Sequence, residues 1–234
     1  MRLTIYHTTS SIFLSSIKEH GLVGVDIRQQ LPNLSMAMKE MIDRLDCYYS
    51  SYGTDWGENA GFRGNCQRMA NTEYKNQSGM DYEYGSAYVT PSRIRIAIYN
   101  SYEFGSELLT YFFRLYRCLY QKHEDKAKAE FDAKYPELVK IIGINNKKNL
   151  ILKAEADTSD LLNDSTGKRL GEDEIELIKL MHKACNGDVQ RSYRMARTLN
   201  PDEIEILTLD GKSFTSFGLL SDFEIPDIWE QVGS

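Results

Sequence analysis

His7 opens a polar run, Thr8-Thr9-Ser10, directly after the apolar residues Leu3, Ile5 and Tyr6. A neutral imidazole carries one donor and one acceptor, and flanking hydroxyls add more, so this group can hold the polar edge of a ligand. The plainer alternative is a structural histidine whose ring N–H donates to a backbone carbonyl. A second reactive stretch is Gly85-Ser86-Ala87-Tyr88-Val89-Thr90-Pro91-Ser92, where Tyr88 offers a flat ring and Thr90 a hydroxyl. Glu155, Glu203 and Glu205 are carboxylates able to do electrostatic or acid–base work. Arg191 and Arg194 have the fork geometry that grips a phosphate. Each acid and arginine also reads as an ordinary solvated surface residue.

The elements that must position these groups are legible from periodicity. Leu3, Ile5 and Tyr6 read as a buried strand leading into a polar turn at His7–Ser10. Ser10 or Ser11 can cap a helix through Ile12, Phe13, Ile17 and His20, and Gly21 sits where a C-cap belongs. Val25 to Pro32 reads as loop, and Met38, Met41, Ile42 and Leu45 place a helix from Leu34 to about Cys47. From Tyr48 to Gly85 periodicity vanishes, while Tyr48, Tyr49, Tyr52, Trp56, Phe62, Tyr74, Tyr82 and Tyr84 accumulate. That pattern reads as a long ordered loop, with some helix around Asn65–Tyr74, beside the ligand. Tyr52 and Trp56 could stack on a substrate base, or could simply form the loop's own small core.

Further on, Ala87-Tyr88-Val89 is a short strand ended by Pro91, and Ser92 caps the helix from Ile94 to about Tyr102. Glu107 to Tyr120 is a strongly apolar core helix, and Lys122 to Lys134 a solvated one, punctuated by Pro136 and Gly143. Asn149 to Asp157 reads as a central strand, followed by a turn at Asp157–Asp160. Glu172 to Ala184 is an amphipathic helix stopped by Asn186-Gly187. Ser192–Ala196 and Ile204–Leu207 read as strands joined through Pro201, Asp210-Gly211 as a hairpin turn, and Phe223–Trp229 as a packed tail.

The whole chain, 234 residues with 41% hydrophobic and 26% charged, has the make-up of one α+β domain with a real core. No apolar run is long enough to span a bilayer, and the polar Thr8–Ser11 run interrupts the start, so a cytoplasmic protein is expected. Cys47, Cys66, Cys118 and Cys185 form no CxxC pair, which argues against a zinc site or a disulfide framework. The net charge of −6 speaks against a general nucleic-acid coat but leaves room for a local basic groove. Arg93, Arg95, Lys147, Lys148, Arg191, Arg194 and Arg197 could line one.

Tyr6-His7-Thr8-Thr9 with the following helix and His20-Gly21-Leu22 resembles the opening motif of the ADP-ribosyltransferase superfamily, which includes DarT-like toxins and RNA 2′-phosphotransferases. Ala87–Ser92 resembles the tyrosine motif of that group, Leu150–Asp164 its following strand and turn, and Asn200-Pro201-Asp202-Glu203-Ile204-Glu205 its last turn and strand. The resemblance covers most of the chain. It implies a split β-sandwich with flanking helices, in which residues 48–86 form an active-site loop of a single domain. It also implies NAD+ held by His7, Thr8, Thr9, Tyr88 and Thr90, with His7 on the adenine-side ribose, Thr8 at the nicotinamide amide and Tyr88 stacked on the nicotinamide ring. The sequence departs from the pattern where the catalytic glutamate belongs, because Gln190-Arg191-Ser192 stands there and Glu203 follows only after the turn. The implied catalytic set is therefore His7, Tyr88, Gln190 and Glu203, with Arg191, Arg194, Tyr52 and Trp56 toward the substrate.

By the same resemblance the chain is an NAD+-dependent mono-ADP-ribosyltransferase of RNA or DNA, of the kind met in bacterial toxins and anti-phage effectors, with an antitoxin protein as partner and no membrane. A protein target, a catalytically inactive nucleotide-binding module and 2′-phosphotransferase chemistry are the alternatives the residues leave open.

Overall fold

The computed structural model describes residues 1–24, 31–54, 56, 60–71, 86–99, 107–122, 125–143, 149–209 and 229–231. Burial alternates along Arg2–Ser10, strand β1: Leu3 and Ile5 enter one core, Tyr6 a second on the other face. The run Leu150-Ile151-Leu152, continued by Ala154 and Ala156, is buried on both faces and so belongs inside a sheet. It forms the interior strand of a four-stranded antiparallel sheet, Asn149–Asp157, with Arg2–Ser10 on one side and Glu205–Leu209 on the other. Trp229–Gln231 pairs outside the latter. In chain order these are β1, β3, β6 and β7. Leu3 stands opposite Ala156 and His7 opposite Leu152.

Three short strands, β2 (Tyr88–Val89), β4 (Leu161–Asn163) and β5 (Tyr193–Met195), make a second antiparallel sheet in the order β2-β5-β4. Val89, Leu161, Tyr193 and Met195 of this sheet share one core with Leu3, Ile5, Leu152, Ala154 and Ala156 of the first. Each Leu or Ile so buried contributes roughly 1.5–3 kcal/mol. A reciprocal pair of 2.9 Å hydrogen bonds between the backbones of Tyr6 and Thr90 ties β1 to the end of β2. Tyr6, Ile96, Ile151 and Leu207 form the smaller core on the far face of the larger sheet.

The expected polar turn at His7–Ser10 is instead the last part of β1, because β3 extends to Asn149 and supplies a partner as far as Ser10. The turn begins at Ser10, whose Oγ accepts from the Ile12 N–H at 3.4 Å, and a 3₁₀ turn over Ser11–Phe13 leads into α1, Leu14–His20. Gly21 ends α1 with φ +76°, and Leu22 then bridges to Leu199. Helices α4 (Arg93–Tyr99) and α8 (Glu172–Ala184) complete this part, and α8 has the bounds the periodicity predicts.

The chain divides into two compact units, the first formed by Met1–Val25, Gly85–Ser106 and Lys147–Ser234. The second comprises Asp26–Tyr84 and Glu107–Asn146. Its described elements are α2 (Leu34–Ser51), α3 (Ala60–Ala70), α5 (Glu107–Lys122), α6 (Asp125–Lys134) and α7 (Pro136–Ile142). Leu34, Met38, Met41, Ile42 and Leu45 give α2 its buried stripe, and the helix runs four residues past the predicted end. The aromatic-rich stretch expected as loop contains α3, which starts earlier than the predicted Asn65–Tyr74. Residues 72–85, and the predicted loop at 25–30 and hairpin at 210–214, lie outside the described residues.

Candidate active site

His7 Nδ1 lies 2.7 Å from the backbone carbonyl oxygen of Tyr88. A carbonyl only accepts, so Nδ1 carries the proton and donates. Burial pushes the imidazole below its ordinary pKa and outweighs the opposing effect of the carbonyl, which favours the neutral ring. The Nε2 lone pair is then an acceptor, the form suited to a ligand hydroxyl. The hydrogen bond at Nδ1 is the structural role expected of such a histidine, a ring N–H donating to a backbone carbonyl. The ring lines a narrow apolar crevice with Ile5, Val89, Leu152, Leu199 and Ile204, of which only His7 and Ile204 are partly exposed.

Strand alternation sorts the neighbouring hydroxyls. Thr9 shares the face of His7 and is buried, whereas Thr8 turns to the opposite face with Tyr6. Thr90 is a backbone organiser: its Oγ1 donates to the Arg191 carbonyl at 2.7 Å and accepts from the Ser92 N–H at 3.1 Å. Ser92 in turn caps α4, accepting from the Arg95 N–H at 2.9 Å. An Arg95 guanidinium nitrogen also donates to the Gln190 carbonyl at 3.2 Å. The segment Gln190–Arg191 is thus pinned beside the end of β2, two residues beyond Tyr88. Gln190 and Arg191 themselves are exposed.

Arg194 does not present an open fork. It is 3% exposed, its Nε donates to the Asp164 carbonyl at 2.7 Å, and its guanidinium lies over the Tyr88 ring, 5.5 Å from the centroid. Glu203 is equally committed. Its two carboxylate oxygens take bonds of 3.0 and 2.8 Å from Arg197, and its Oε2 also takes the Asn200 N–H at 2.8 Å. Those bonds, Arg197 first, hold its carboxyl at about 2. It caps the 3₁₀ turn Pro201–Glu203 as a permanent anion. Glu205 pairs with Lys153 at 2.7 Å, and Glu155 accepts from Thr4 Oγ1 at 2.5 Å.

In the helical unit Trp56 is buried and donates through Nε1 to Asp46 at 2.6 Å, between Tyr49 and Phe62. Tyr52 is 69% exposed. Trp56 is therefore a core anchor of that unit, whereas Tyr52 presents its ring to solvent.

A polar cavity of about 200 Å³ opens beside the Gln190–Arg191 segment. Arg95, Asn163, Asp164, Glu174, Arg191, Ser192 and Tyr193 line it. Sequence reasoning named only the arginines here. Asn163, Asp164, Glu174 and Tyr193 sit on separate strand, turn and helix segments, and no spacing announces their convergence.

No family model, curated protein or solved structure matches the chain. Among the described residues no helix is long and apolar enough to cross a membrane, and no group of three or more His, Cys, Asp and Glu side chains is placed to hold a metal ion.

Proposed function

We propose that this protein is an NAD+-dependent mono-ADP-ribosyltransferase that modifies nucleic acid, and that its two packed sheets are the split β-sandwich of that superfamily. The observation that carries the reading is the hydrogen bond from His7 Nδ1 to the Tyr88 carbonyl. It joins the two motifs on which the resemblance rests, through the backbone of Tyr88, and leaves Nε2 in the form of an acceptor. NAD+ fits this pair, since a ribose hydroxyl can donate to Nε2 and a flat nicotinamide can stack on Tyr88. NAD+ supplies the ADP-ribosyl group and nicotinamide as the leaving group.

The chain's own residues then position and polarise. His7 fixes the adenine-side ribose, and Arg194, lying over the Tyr88 ring, holds its plane. Gln190, in the place of the usual acid, offers an amide oxygen to a ribose hydroxyl but no charge. A positive centre developing at the ribose is therefore less well stabilised than by a carboxylate. A slow, tightly controlled enzyme is the consequence. Arg95 and Arg191 give the adjoining surface its cationic groups, as a nucleic-acid acceptor requires. A cytoplasmic toxin or anti-phage effector restrained by an antitoxin protein fits such an activity.

The deciding experiment incubates the purified protein with NAD+ and, separately, total RNA, DNA or cell lysate, and follows nicotinamide release and product mass. The expected result is release coupled to a gain of one ADP-ribose on nucleic acid, lost in a Tyr88→Ala protein that still folds. A gain on protein instead would move the target class. No release under any condition would end the transferase reading. A second reading, 2′-phosphotransferase chemistry, is favoured by Gln190 and the exposed Arg191. RNA bearing a 2′-phosphate, which that chemistry would clear, distinguishes it.

A further inference from the structure

We propose that helix α8 is a self-association surface, on which a second copy of this chain docks antiparallel across a twofold axis. The inference does not rest on the transferase reading.

The first observation is an apolar face left without cover. Ile175, Leu177, Ile178, Leu180 and Met181 make α8 rich in large apolar side chains, yet only Ile178 is buried. Ile178 enters the inter-sheet core. Leu177, Leu180, Met181 and Ala184 recur at i, i+3, i+4 and i+7, the spacing that sets four residues in one stripe on a helix. Leu180 is 64% exposed and Leu177 38%, so the stripe faces away from the core that Ile178 enters. A single exposed leucine needs no explanation, but an ordered row along one helix marks a contact surface.

The second observation identifies the occupant. The acidic residues of α8, Glu172, Asp173, Glu174 and Glu176, lie in its first half, and its lysines, Lys179 and Lys183, in its second. A helix of the same charge order running parallel would set acid against acid and base against base. Running antiparallel, it sets acid against base at both ends and opposes the two helix dipoles. Glu176 and Lys183 are two turns apart, so they flank the stripe on the same side, one toward each end. A twofold axis near Leu180 brings that flank of one copy against the same flank of the other. Glu176 of one copy then meets Lys183 of the other, twice, with the two apolar stripes between. Lys179 donates to Glu176 Oε1 at 2.6 Å within the helix, which holds this carboxylate on the flank and leaves its second oxygen for the incoming lysine. A segment of another protein would have to match both the apolar spacing and the charge order. A second copy has both by symmetry.

The third observation is size. The 13 residues of α8 span about 20 Å. A contact of that length buries less than the roughly 800 Å² per partner of a standard interface. The dimer is accordingly a reversible one, with a dissociation constant on the order of 10 µM.

The test is sedimentation velocity of the full chain from about 1 µM to about 200 µM. Reducing conditions are used, because the exposed Cys185 directly follows the helix. A monomer–dimer equilibrium is expected. Leu180→Glu, at an exposed position, is expected to weaken association at least tenfold without moving the urea midpoint. Glu176→Lys and Lys183→Glu are each expected to weaken it about tenfold, since each sets like charges together at both ends. The double exchange restores opposite charges at both ends and should recover wild-type association. A monomer at every concentration would overturn the proposal, and so would a dimer indifferent to Leu180→Glu. A double exchange that associates no better than either single variant would assign the face to another occupant and overturn it as well.

Discussion

The Arg194 guanidinium lies over the ring of Tyr88, 5.5 Å from its centroid, while its Nε holds the Asp164 carbonyl at 2.7 Å. One side chain thus joins β2 to the turn after β4 and fixes the plane of the tyrosine. Removing it leaves a buried carbonyl unpaired and a void beside the ring. Arg194→Ala is expected to cost about 3 kcal/mol in urea unfolding. Arg194→Lys should recover little of that, because an ammonium lacks the planar fork. Wild-type stability in Arg194→Ala would return this residue to the role of a free substrate ligand.

His7 gives a pH dependence of defined sign. Its folded-state pKa is below the ordinary imidazole value, chiefly through burial. The unfolded chain therefore takes up the proton first as pH falls. The stabilising contribution is complete above the ordinary imidazole pKa and declines as pH drops from there toward the lowered folded value. The slope for this one group is at most about 1.4 kcal/mol per pH unit. Urea midpoints between pH 5 and 8 should rise with pH, and His7→Asn should flatten that rise.

Gln190 tests the departure from the family pattern. If the segment pinned by Thr90 and Arg95 stands where the acid belongs, Gln190→Glu should raise nicotinamide release about tenfold or more. A glutamate that leaves the rate unchanged would mean that the position does not face the reacting ribose.

Glu203 should matter to folding rather than chemistry. Its carboxyl is held at about 2, so its contribution is present above the usual glutamate value and lost as pH falls toward 2. Its side chain is 31% exposed, so solvent screening keeps the figure modest. Glu203→Gln is expected to cost about 1 kcal/mol in thermal unfolding at neutral pH, with nicotinamide release per folded molecule unchanged.

Among the described glycines of the sheet unit, Gly21 is the most tightly constrained. It sits at φ +76°, and an added Cβ would run into the Leu199 carbonyl oxygen. The same carbonyl accepts from the Leu22 N–H at 2.9 Å, so relief of the clash breaks that bridge. Gly21→Ala is expected to destabilise by about 3 kcal/mol, measured by urea unfolding.

Local chemistry set much of this in advance. The apolar start of β1 at Leu3, Ile5 and Tyr6, the central strand Asn149–Asp157, the helix stop at Gly21, the Ser92 cap and the bounds of α8 all depend on neighbours a few residues apart. Periodicity reports such neighbours directly.

Tertiary structure decided what depends on distant partners. β1 runs on through His7 because β3 reaches Asn149, more than a hundred residues away in the chain. Thr8 and Thr9 differ in role because the sheet assigns them opposite faces. Arg194 reads as a phosphate ligand and Glu203 as a catalytic acid in sequence, where a charged residue carries no mark of burial or pairing. Only the fold supplies the Tyr88 ring, the Asp164 carbonyl and the Arg197 fork that occupy them. The hydroxyl of Tyr193 belongs to the same class: a tyrosine's polarity is in the sequence, but its burial without a hydrogen-bond partner is a property of the packed core.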